Sequence, residues 1–182
     1  MQRIMVIGVS AGAGKSTFAK EIGKNLAIPV YHLDRFFWEP GWIEADKQEF
    51  IDRIREVVKK ERWIIEGNYF STFEERAAFA DTIIYLELPL YVCLYRVFKR
   101  RFQYRGGQTR PDLPEGCPEK IDTAFLHYIL STYSRRKKQV GLLLFDWQQE
   151  DPSRMVIKLR NQKEITNYLR RKSYEKSNFP GS

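Results

Sequence analysis

One glycine-rich segment, Gly8-Val-Ser-Ala-Gly-Ala-Gly-Lys-Ser-Thr17, restricts the possible folds of this chain more than any other part of the sequence. It follows a short apolar run from Arg3 to Gly8, which is typical of a buried central strand. From Lys15 onward, apolar or small residues recur at helical spacing. A strand followed by a glycine-rich turn and the start of a helix is typical of a phosphate-binding loop. Such a loop binds phosphate through backbone N–H groups and the positive end of the helix.

This loop predicts that the chain binds ATP. We expect Lys15 to reach the β- and γ-phosphates and the Ser16 hydroxyl to ligate Mg²⁺. The residues expected to hold ATP are Gly8, Ser10, Ala11, Gly12, Ala13, Gly14, Lys15, Ser16 and Thr17. The usual spacing places a glycine six residues before the lysine, but Val9 occupies that position and Gly8 precedes it. Either the loop contains one extra residue or Val9 tolerates the turn.

Further apolar runs predict a parallel α/β sheet. Strand-like segments at 29–34, 62–66, 82–87 and 154–159 alternate with helical patterns at about 45–60, 90–104 and 118–139. A polar insert at 104–116 is rich in Gly, Arg and Pro, which predicts a mobile flap. Residues 172–182 lose the apolar periodicity, so we expect a flexible tail after a single domain of residues 1–171.

Two acidic residues end predicted strands, where the carboxyl ends of parallel strands form a crevice. Glu66 either holds the water shell of Mg²⁺ there or caps the following turn. Asp34 either accepts a proton from a substrate hydroxyl or caps its loop through Arg35. These pairs of interpretations remain open from the sequence.

Positive charge is concentrated in the second half of the chain. The net charge is +8, with 12 basic and 14 acidic side chains in residues 1–87 and 19 and 9 in residues 88–182. Residues 88–111 contain six Lys or Arg and no acid. Nucleic acid and nucleotide phosphate both fit this excess. The arginines that could neutralise charge on a transferring phosphoryl group are Arg96, Arg100, Arg101, Arg105, Arg110, Arg135 and Arg136.

Aromatic residues gather after the second predicted strand, and they either stack on a base or form core: Tyr31, Phe36, Phe37, Trp38 and Trp42. In the basic half of the chain, the aromatic residues recur periodically. We interpret this as a sign that their side chains face the core and do not form a surface on which bases stack.

The two cysteines, Cys93 and Cys117, have no neighbours that would complete a metal site, so we expect no structural zinc and a reducing, cytoplasmic location. No segment supplies the ~20 apolar residues of a membrane span, so we expect no membrane partner.

Four segments together resemble the adenylate-kinase-related proteins named DNA topology modulation (FlaR-type) proteins, which belong to the P-loop NTPases. These segments are Val9-Ser-Ala-Gly-Ala-Gly-Lys-Ser-Thr17, Tyr31-His-Leu-Asp-Arg-Phe-Phe-Trp38, Trp63-Ile-Ile-Glu-Gly-Asn-Tyr69 and Tyr104-Arg-Gly-Gly-Gln-Thr-Arg-Pro-Asp-Leu-Pro-Glu-Gly-Cys-Pro118. The similarity runs from residue 1 to about 170.

The resemblance implies a three-layer α/β fold of the P-loop nucleotide-kinase type, with a five-stranded parallel sheet. Residues 34–60 would form the acceptor-binding segment and about 101–118 an Arg-bearing lid. The catalytic residues would be Lys15, Asp34, Arg100, Arg101, Arg105 and Arg110. Asp34, Arg35 and Trp38 would meet the acceptor, and Ser16, with Glu66 through water, would hold Mg²⁺.

Two functions remain open from the sequence. The first is an ATP-dependent phosphotransferase acting on a nucleotide, nucleoside or similar small molecule. The alternative is an ATP-binding regulatory protein that binds DNA or modulates its topology, which the sequence does not favour. For the acceptor, Asp34 indicates a hydroxyl compound such as a nucleoside, whereas Arg35 indicates a phosphorylated one.

Overall fold

The secondary structure follows the alternation of strands and helices, in a computed structural model that describes residues 1–104, 110–118 and 121–178. The strands are β1 (Arg3–Gly8), β2 (Val30–His32), β3 (Trp38–Glu39), β4 (Ile43–Glu44), β5 (Trp63–Glu66), β6 (Thr82–Leu86) and β7 (Met155–Leu159). The helices are α1 (Lys15–Leu26), α2 (Asp34–Phe37), α3 (Lys47–Val58), α4 (Phe73–Ala77), α5 (Leu90–Gln103), α6 (Thr123–Glu150) and α7 (Gln162–Asn178). A 3₁₀ turn, Phe70–Thr72, precedes α4.

Five parallel strands form the main sheet, in the order β2-β5-β1-β6-β7. β1 occupies the centre, where Ile4 lies opposite Ile64 of β5 and Thr82 of β6. Residues 4–7 are all fully buried. Because successive strand side chains point to opposite faces, both faces of the sheet are covered. The predicted three-layer α/β fold with five parallel strands is therefore confirmed.

Helix α6 begins later and extends further than the predicted segment 118–139. Its start is fixed by the Asp122 carboxylate, which accepts a hydrogen bond of 2.8 Å from the Phe125 N–H. The helix continues to Glu150 because Val140, Leu144 and Trp147 bury one face.

The prediction of a flexible tail from residue 172 is wrong for residues 172–178, which continue α7. Pairs one turn apart stabilise this end: Lys172 Nζ lies 2.7 Å and Arg171 Nε 3.3 Å from Glu175 oxygens. Residues 179–182 lie outside the described part of the chain. Within residues 1–104, 110–118 and 121–178, each helix is too short or too polar to span a membrane.

The segment after β2 is more ordered than the loop expected there. It forms the single turn α2 and a hairpin of residues 38–44, in which β3 and β4 pair antiparallel. The hairpin contacts residues 116–118: the Gly41 N–H donates to the Gly116 carbonyl at 3.0 Å, and Trp42 Nε1 donates to the Pro118 carbonyl at 3.1 Å. The acceptor-binding segment and the end of the predicted lid are therefore in direct contact.

Candidate active site

The loop between β1 and α1 depends on two glycines in the left-handed region. Gly12 has φ 76° and Gly14 has φ 88°, a conformation that glycine adopts without strain. A Cβ on Gly12 would come within 2.2 Å of the Cys93 carbonyl oxygen in α5. The loop therefore packs its backbone directly against α5, which leaves no room for a side chain at this position.

Val9 is accommodated because it extends the strand pairing rather than making the turn. It is fully buried, and its N–H donates to the Leu86 carbonyl at 3.0 Å. Gly8 has a separate reason to be glycine: a Cβ there would lie 2.9 Å from Cγ of Lys15. The stem of Lys15 thus passes over Gly8. The turn begins after Val9, so Val9 does not have to adopt a turn conformation.

A cleft of about 1070 Å³ opens above the loop and brings together most of the predicted site residues. Lys15, Ser16, Asp34, Trp38, Glu66, Arg100 and Arg110 all line it, as do Ala11, Gly12, Gly14 and Thr17. Arg96 and Arg136 also line it. Arg105 lies outside the described residues.

Three of the predicted arginines that the structure describes do not line this cleft: Arg35, Arg101 and Arg135, which is exposed on α6. Arg35 is exposed, because it follows Asp34 in the single turn α2 and successive helical residues project about 100° apart. Arg101 is exposed for the same reason, since it follows Arg100, which does line the cleft. The structure places the Arg35 and Arg101 side chains outside the cleft, and the acceptor contact of Arg35 and the catalytic role of Arg101 stay predictions.

Asp34 is held by a network that the sequence did not reveal. The Tyr69 hydroxyl donates to the Asp34 carboxylate at 2.7 Å. Burial and the nearby charge of Glu66 raise the pKa of Asp34, while this hydrogen bond and the positive charges of Lys15 and Arg110 oppose the rise. Burial and the Asp34 charge in turn raise the pKa of Tyr69 well above its usual range, which keeps its hydroxyl a donor.

Glu66 ends β5 in a nearly closed environment. Only 4% of its side chain is exposed, and Nδ1 of His32 lies 2.9 Å from Oε2. Its neighbour Asn68 accepts the Gly8 N–H at 2.9 Å, which ties the end of β5 to the start of the phosphate-binding loop. Glu66 thus lies in the cleft with one oxygen oriented by His32.

The described part of the lid meets the loop through Asp112. Arg110 forms an ion pair with Asp112, which is nearly buried. Burial opposes ionisation of Asp112, but Arg110 and a hydrogen bond from the Ser16 hydroxyl hold the pKa of this carboxyl below its usual range. Cys117 lies in the same segment, and its thiol donates to the Glu39 carbonyl at 3.2 Å.

Arg76 holds the turn after β5, and no sequence pattern pointed to this residue. It is fully buried and donates to the carbonyls of Gly67 (3.1 Å), Tyr69 (2.8 Å) and Thr72 (3.1 Å). Burial lowers its pKa to about 10, which leaves the guanidinium charged at neutral pH. These bonds fix the turn that carries Asn68 and Tyr69 into the cleft. Asn68 and Tyr69 themselves belong to the sequence motif of residues 63–69, which did single out this segment.

The interpretation of the aromatic residues in the basic half as core-facing is wrong for α5. Tyr91 (74%), Tyr95 (65%), Phe98 (45%) and Phe102 (62%) are all exposed, at spacings of three or four residues. The opposite face of α5 carries buried Cys93 and Val97 and turns Arg96 and Arg100 toward the cleft. The periodicity correctly indicated that these aromatic side chains share one face of a helix, but that face is exposed to solvent.

No protein-family model matches the sequence. Among curated proteins, "Uncharacterized protein YqaC" of Bacillus subtilis (strain 168) is 26% identical over 112 residues, which is 59% of this chain. The chain matches 61% of the length of that relative.

Solved structures show the fold. The shikimate kinase of Aquifex aeolicus vf5 superimposes with a TM-score of 0.54 at 19% identity, covering 99% of both chains. The shikimate kinase of Bacteroides thetaiotaomicron gives a TM-score of 0.54 at 17% identity, covering 97% of this chain and 98% of its own. This chain has a P-loop kinase fold. The fold implied by the resemblance is therefore confirmed, and the site described above lies in the loop region characteristic of that P-loop kinase fold.

Replacing Tyr69 by Phe should raise the pKa of Asp34 further. The variant removes a hydrogen bond to the ionised carboxylate, while burial and Glu66 continue to favour the protonated form. A ¹³C NMR titration of the Asp34 carboxyl in the two proteins measures this. Tyr174→Phe, an exposed change on α7, should leave the titration unaltered. An unchanged or lowered pKa in Tyr69→Phe would contradict the described network.

Proposed function

We propose that this protein transfers the γ-phosphoryl group of ATP to a small-molecule acceptor. The proposal rests on one observation: Lys15 and Asp34 lie in one cleft, where the positive charge of Lys15 opposes the rise in the pKa of Asp34. A phosphate-binding lysine facing a potential proton acceptor is the arrangement that phosphoryl transfer to a hydroxyl requires. The P-loop kinase fold supports the same conclusion.

The loop has the form that a triphosphate needs. Gly12 and Gly14 both adopt the left-handed conformation that favours glycine, and at Gly12 the Cys93 carbonyl also leaves no space for a Cβ. Gly14 is the N-cap of α1. Backbone N–H groups at a helix N-terminus bind anions. Lys15 passes over Gly8 into the cleft, where its charge would meet the phosphates.

The oxygen ligands present also fit Mg²⁺. The Ser16 hydroxyl and the Glu66 carboxylate both line the cleft, and hard oxygen donors are the ligands that Mg²⁺ prefers. Ser16 would hold the ion directly and Glu66 through water. When bound, Mg²⁺ would neutralise charge on the phosphate oxygens.

The protein's own groups divide the remaining work. Asp34 accepts the proton of the acceptor hydroxyl. The hydroxyl oxygen bonds to the γ-phosphorus while the bond from that phosphorus to the ADP oxygen breaks. Tyr69 orients Asp34 through its 2.7 Å hydrogen bond. Arg100 and Arg110 line the cleft on the lid side and stabilise the charge on the transferred group, a role that we also keep for Arg105.

The kinases that share the fold support a small acceptor. One of them, from Acinetobacter baumannii, is a shikimate kinase in complex with shikimate, at 15% identity and a TM-score of 0.50. Within the proposal, residues 1–171 form one kinase domain with a lid at about 101–118. It works in the reducing cytoplasm, consistent with the buried free thiols of Cys93 and Cys117.

Lys15→Ala should abolish phosphoryl transfer while leaving the fold intact. Loss of a charge that stabilises the transferring phosphoryl group costs on the order of 10²-fold or more in turnover. The measurements are Mg·ATP binding by isothermal titration and ADP release with a panel of nucleosides and nucleoside monophosphates. Lys20→Ala, an exposed change on the same helix, is the control. Undiminished ATP binding and turnover in Lys15→Ala would refute the assignment.

A second candidate function, binding of single-stranded nucleic acid, is favoured by the exposed face of α5. The aromatic side chains Tyr91, Tyr95, Phe98 and Phe102 are exposed there, with Lys99 and Arg101 beside them. Aromatic side chains next to basic ones are the usual means of holding single strands, through base stacking and phosphate contacts. This face supports the candidate function of binding single-stranded DNA, with ATP as the switch.

Binding through this face should be strongly salt-dependent. For single strands, affinity should fall by ~0.7 log unit per log unit of salt for each phosphate neutralised. Filter binding of a single-stranded oligonucleotide and its duplex, with and without ATP, measures it. Tyr95→Ala should weaken the single-strand complex by about 5- to 150-fold, whereas Tyr174→Ala should not. No binding at low salt would eliminate this candidate.

A further inference from the structure

We infer that the phosphoryl acceptor is a hydroxyl compound that carries a planar unsaturated ring and no negative charge at its bound end. The inference rests on the proposed phosphotransferase function and concerns the same cleft. It follows from three features beside Asp34: a continuous wall of aromatic rings, the way that wall is held, and the distribution of charge.

The rings extend outward from Asp34 in an unbroken series. Tyr69, which bonds Asp34, has its ring centroid 4.8 Å from that of Phe37. Phe37 lies 4.9 Å from Trp38, and Trp38 lies 5.2 Å from Trp42. All four residues line the cleft, and we call them the aromatic wall.

The aromatic wall lines the cleft at the edge of the packed core. Its four members are half-buried, and Phe37 and Tyr69 pack against the core residue Phe50, which is only 3% exposed. Trp38 and Trp42 meet at an interplanar angle of 76°, so they form a corner rather than a stacked pair. A planar ring can lie against the face of one indole with its edge toward the other, as aromatic pairs prefer.

Backbone and side-chain contacts hold the hairpin that carries Trp38 and Trp42. The Trp42 indole N–H donates to the Pro118 carbonyl at 3.1 Å. The Cys117 thiol and the Gly116 carbonyl bond the same hairpin at Glu39 and Gly41. A prearranged surface loses less conformational entropy when an acceptor binds to it.

The charges near Asp34 disfavour an anionic acceptor. Segments 34–44 and 67–73, which carry the aromatic wall, contain a single basic residue, Arg35, and it is exposed outside the cleft. Among the described lid residues, Arg110 acts on Asp34, and it forms an ion pair with Asp112. Lys15 also acts on Asp34, but in the proposed function its charge is engaged by the ATP phosphates. The negative charges of Asp34 and Glu66 would then disfavour a phosphate or carboxylate at the bound end of the acceptor, since like charges at short range in a partly buried site interact strongly.

These features separate the two acceptors that the sequence left unranked. Asp34 faces the cleft and can take the hydroxyl proton, whereas the cation that would bind a phosphorylated acceptor, Arg35, does not reach it. The neutral, ring-bearing compound is the acceptor class that fits. Nucleosides are convenient probes of this class, and their 5′-monophosphates are matched anionic counterparts.

The test compares nucleosides with their 5′-monophosphates by isothermal titration. The nucleotide site is first saturated with a non-hydrolysable Mg·ATP analogue, so that the titrants report on the acceptor side. At least one nucleoside should bind tenfold or more tightly than its monophosphate. The inference is overturned if no nucleoside binds, if the monophosphate binds equally well or better, or if a ring-free polyol such as sorbitol binds as tightly as the nucleoside.

Variants then locate the binding surface. Trp42→Leu should weaken nucleoside binding by about 5- to 150-fold, the effect of losing one stacked base, and should raise KM while leaving kcat within about twofold. Tyr174→Leu, exposed on α7, should change neither. Unchanged nucleoside affinity in folded Trp42→Leu would contradict the inference. The comparison of nucleoside with monophosphate uses the unaltered protein and stands even if a variant does not fold.

The design keeps two failures apart. If the Mg·ATP analogue does not bind at all, the proposed phosphotransferase function fails. If the analogue binds and a phosphorylated acceptor consumes ATP in preference to a nucleoside, the phosphotransferase stands and the inferred acceptor class fails.

Discussion

The close approach of the phosphate-binding loop to α5 is the constraint on which the rest of the site depends. Gly12 lies so near the Cys93 carbonyl that a Cβ would come within 2.2 Å of it, and Arg96 donates to the Ala13 carbonyl at 3.0 Å. The loop is therefore held by the helix that also turns Arg100 into the cleft. A movement of α5 would therefore displace the phosphate-binding loop and Arg100 together.

A second fixed point lies on the opposite side of the loop. The buried guanidinium of Arg76 donates to three carbonyls of the turn after β5, and that turn supplies Asn68 to the Gly8 N–H and Tyr69 to Asp34. A buried charge is costly unless it is fully hydrogen-bonded, so this arginine and the turn depend on each other. Although it lies in α4, away from the cleft, Arg76 sets the geometry of the predicted proton acceptor.

Local patterns were sufficient to predict the fold and the position of the β1–α1 loop. The strand, glycines and lysine of residues 3–17 adjoin in sequence, so their arrangement could be predicted directly. The orientation of Asp34 and Arg35 could not, because it depends on the single turn α2, which has too few residues to show periodicity. For α5, periodicity defined two faces without telling which is buried. The inner face of α5 carries the arginines that point toward the cleft, and its outer face carries the exposed aromatic rings.

The arrangement that unites these features is a triphosphate on the β1–α1 loop facing an acceptor on the aromatic wall. A crystal structure of the protein with a non-hydrolysable ATP analogue and Mg²⁺ tests this most directly. We expect the β- and γ-phosphates on the backbone N–H groups of residues 12–17, with Lys15 against them and the γ-phosphate directed toward Asp34. Triphosphate density away from this loop, or a γ-phosphate directed away from Asp34, would contradict it.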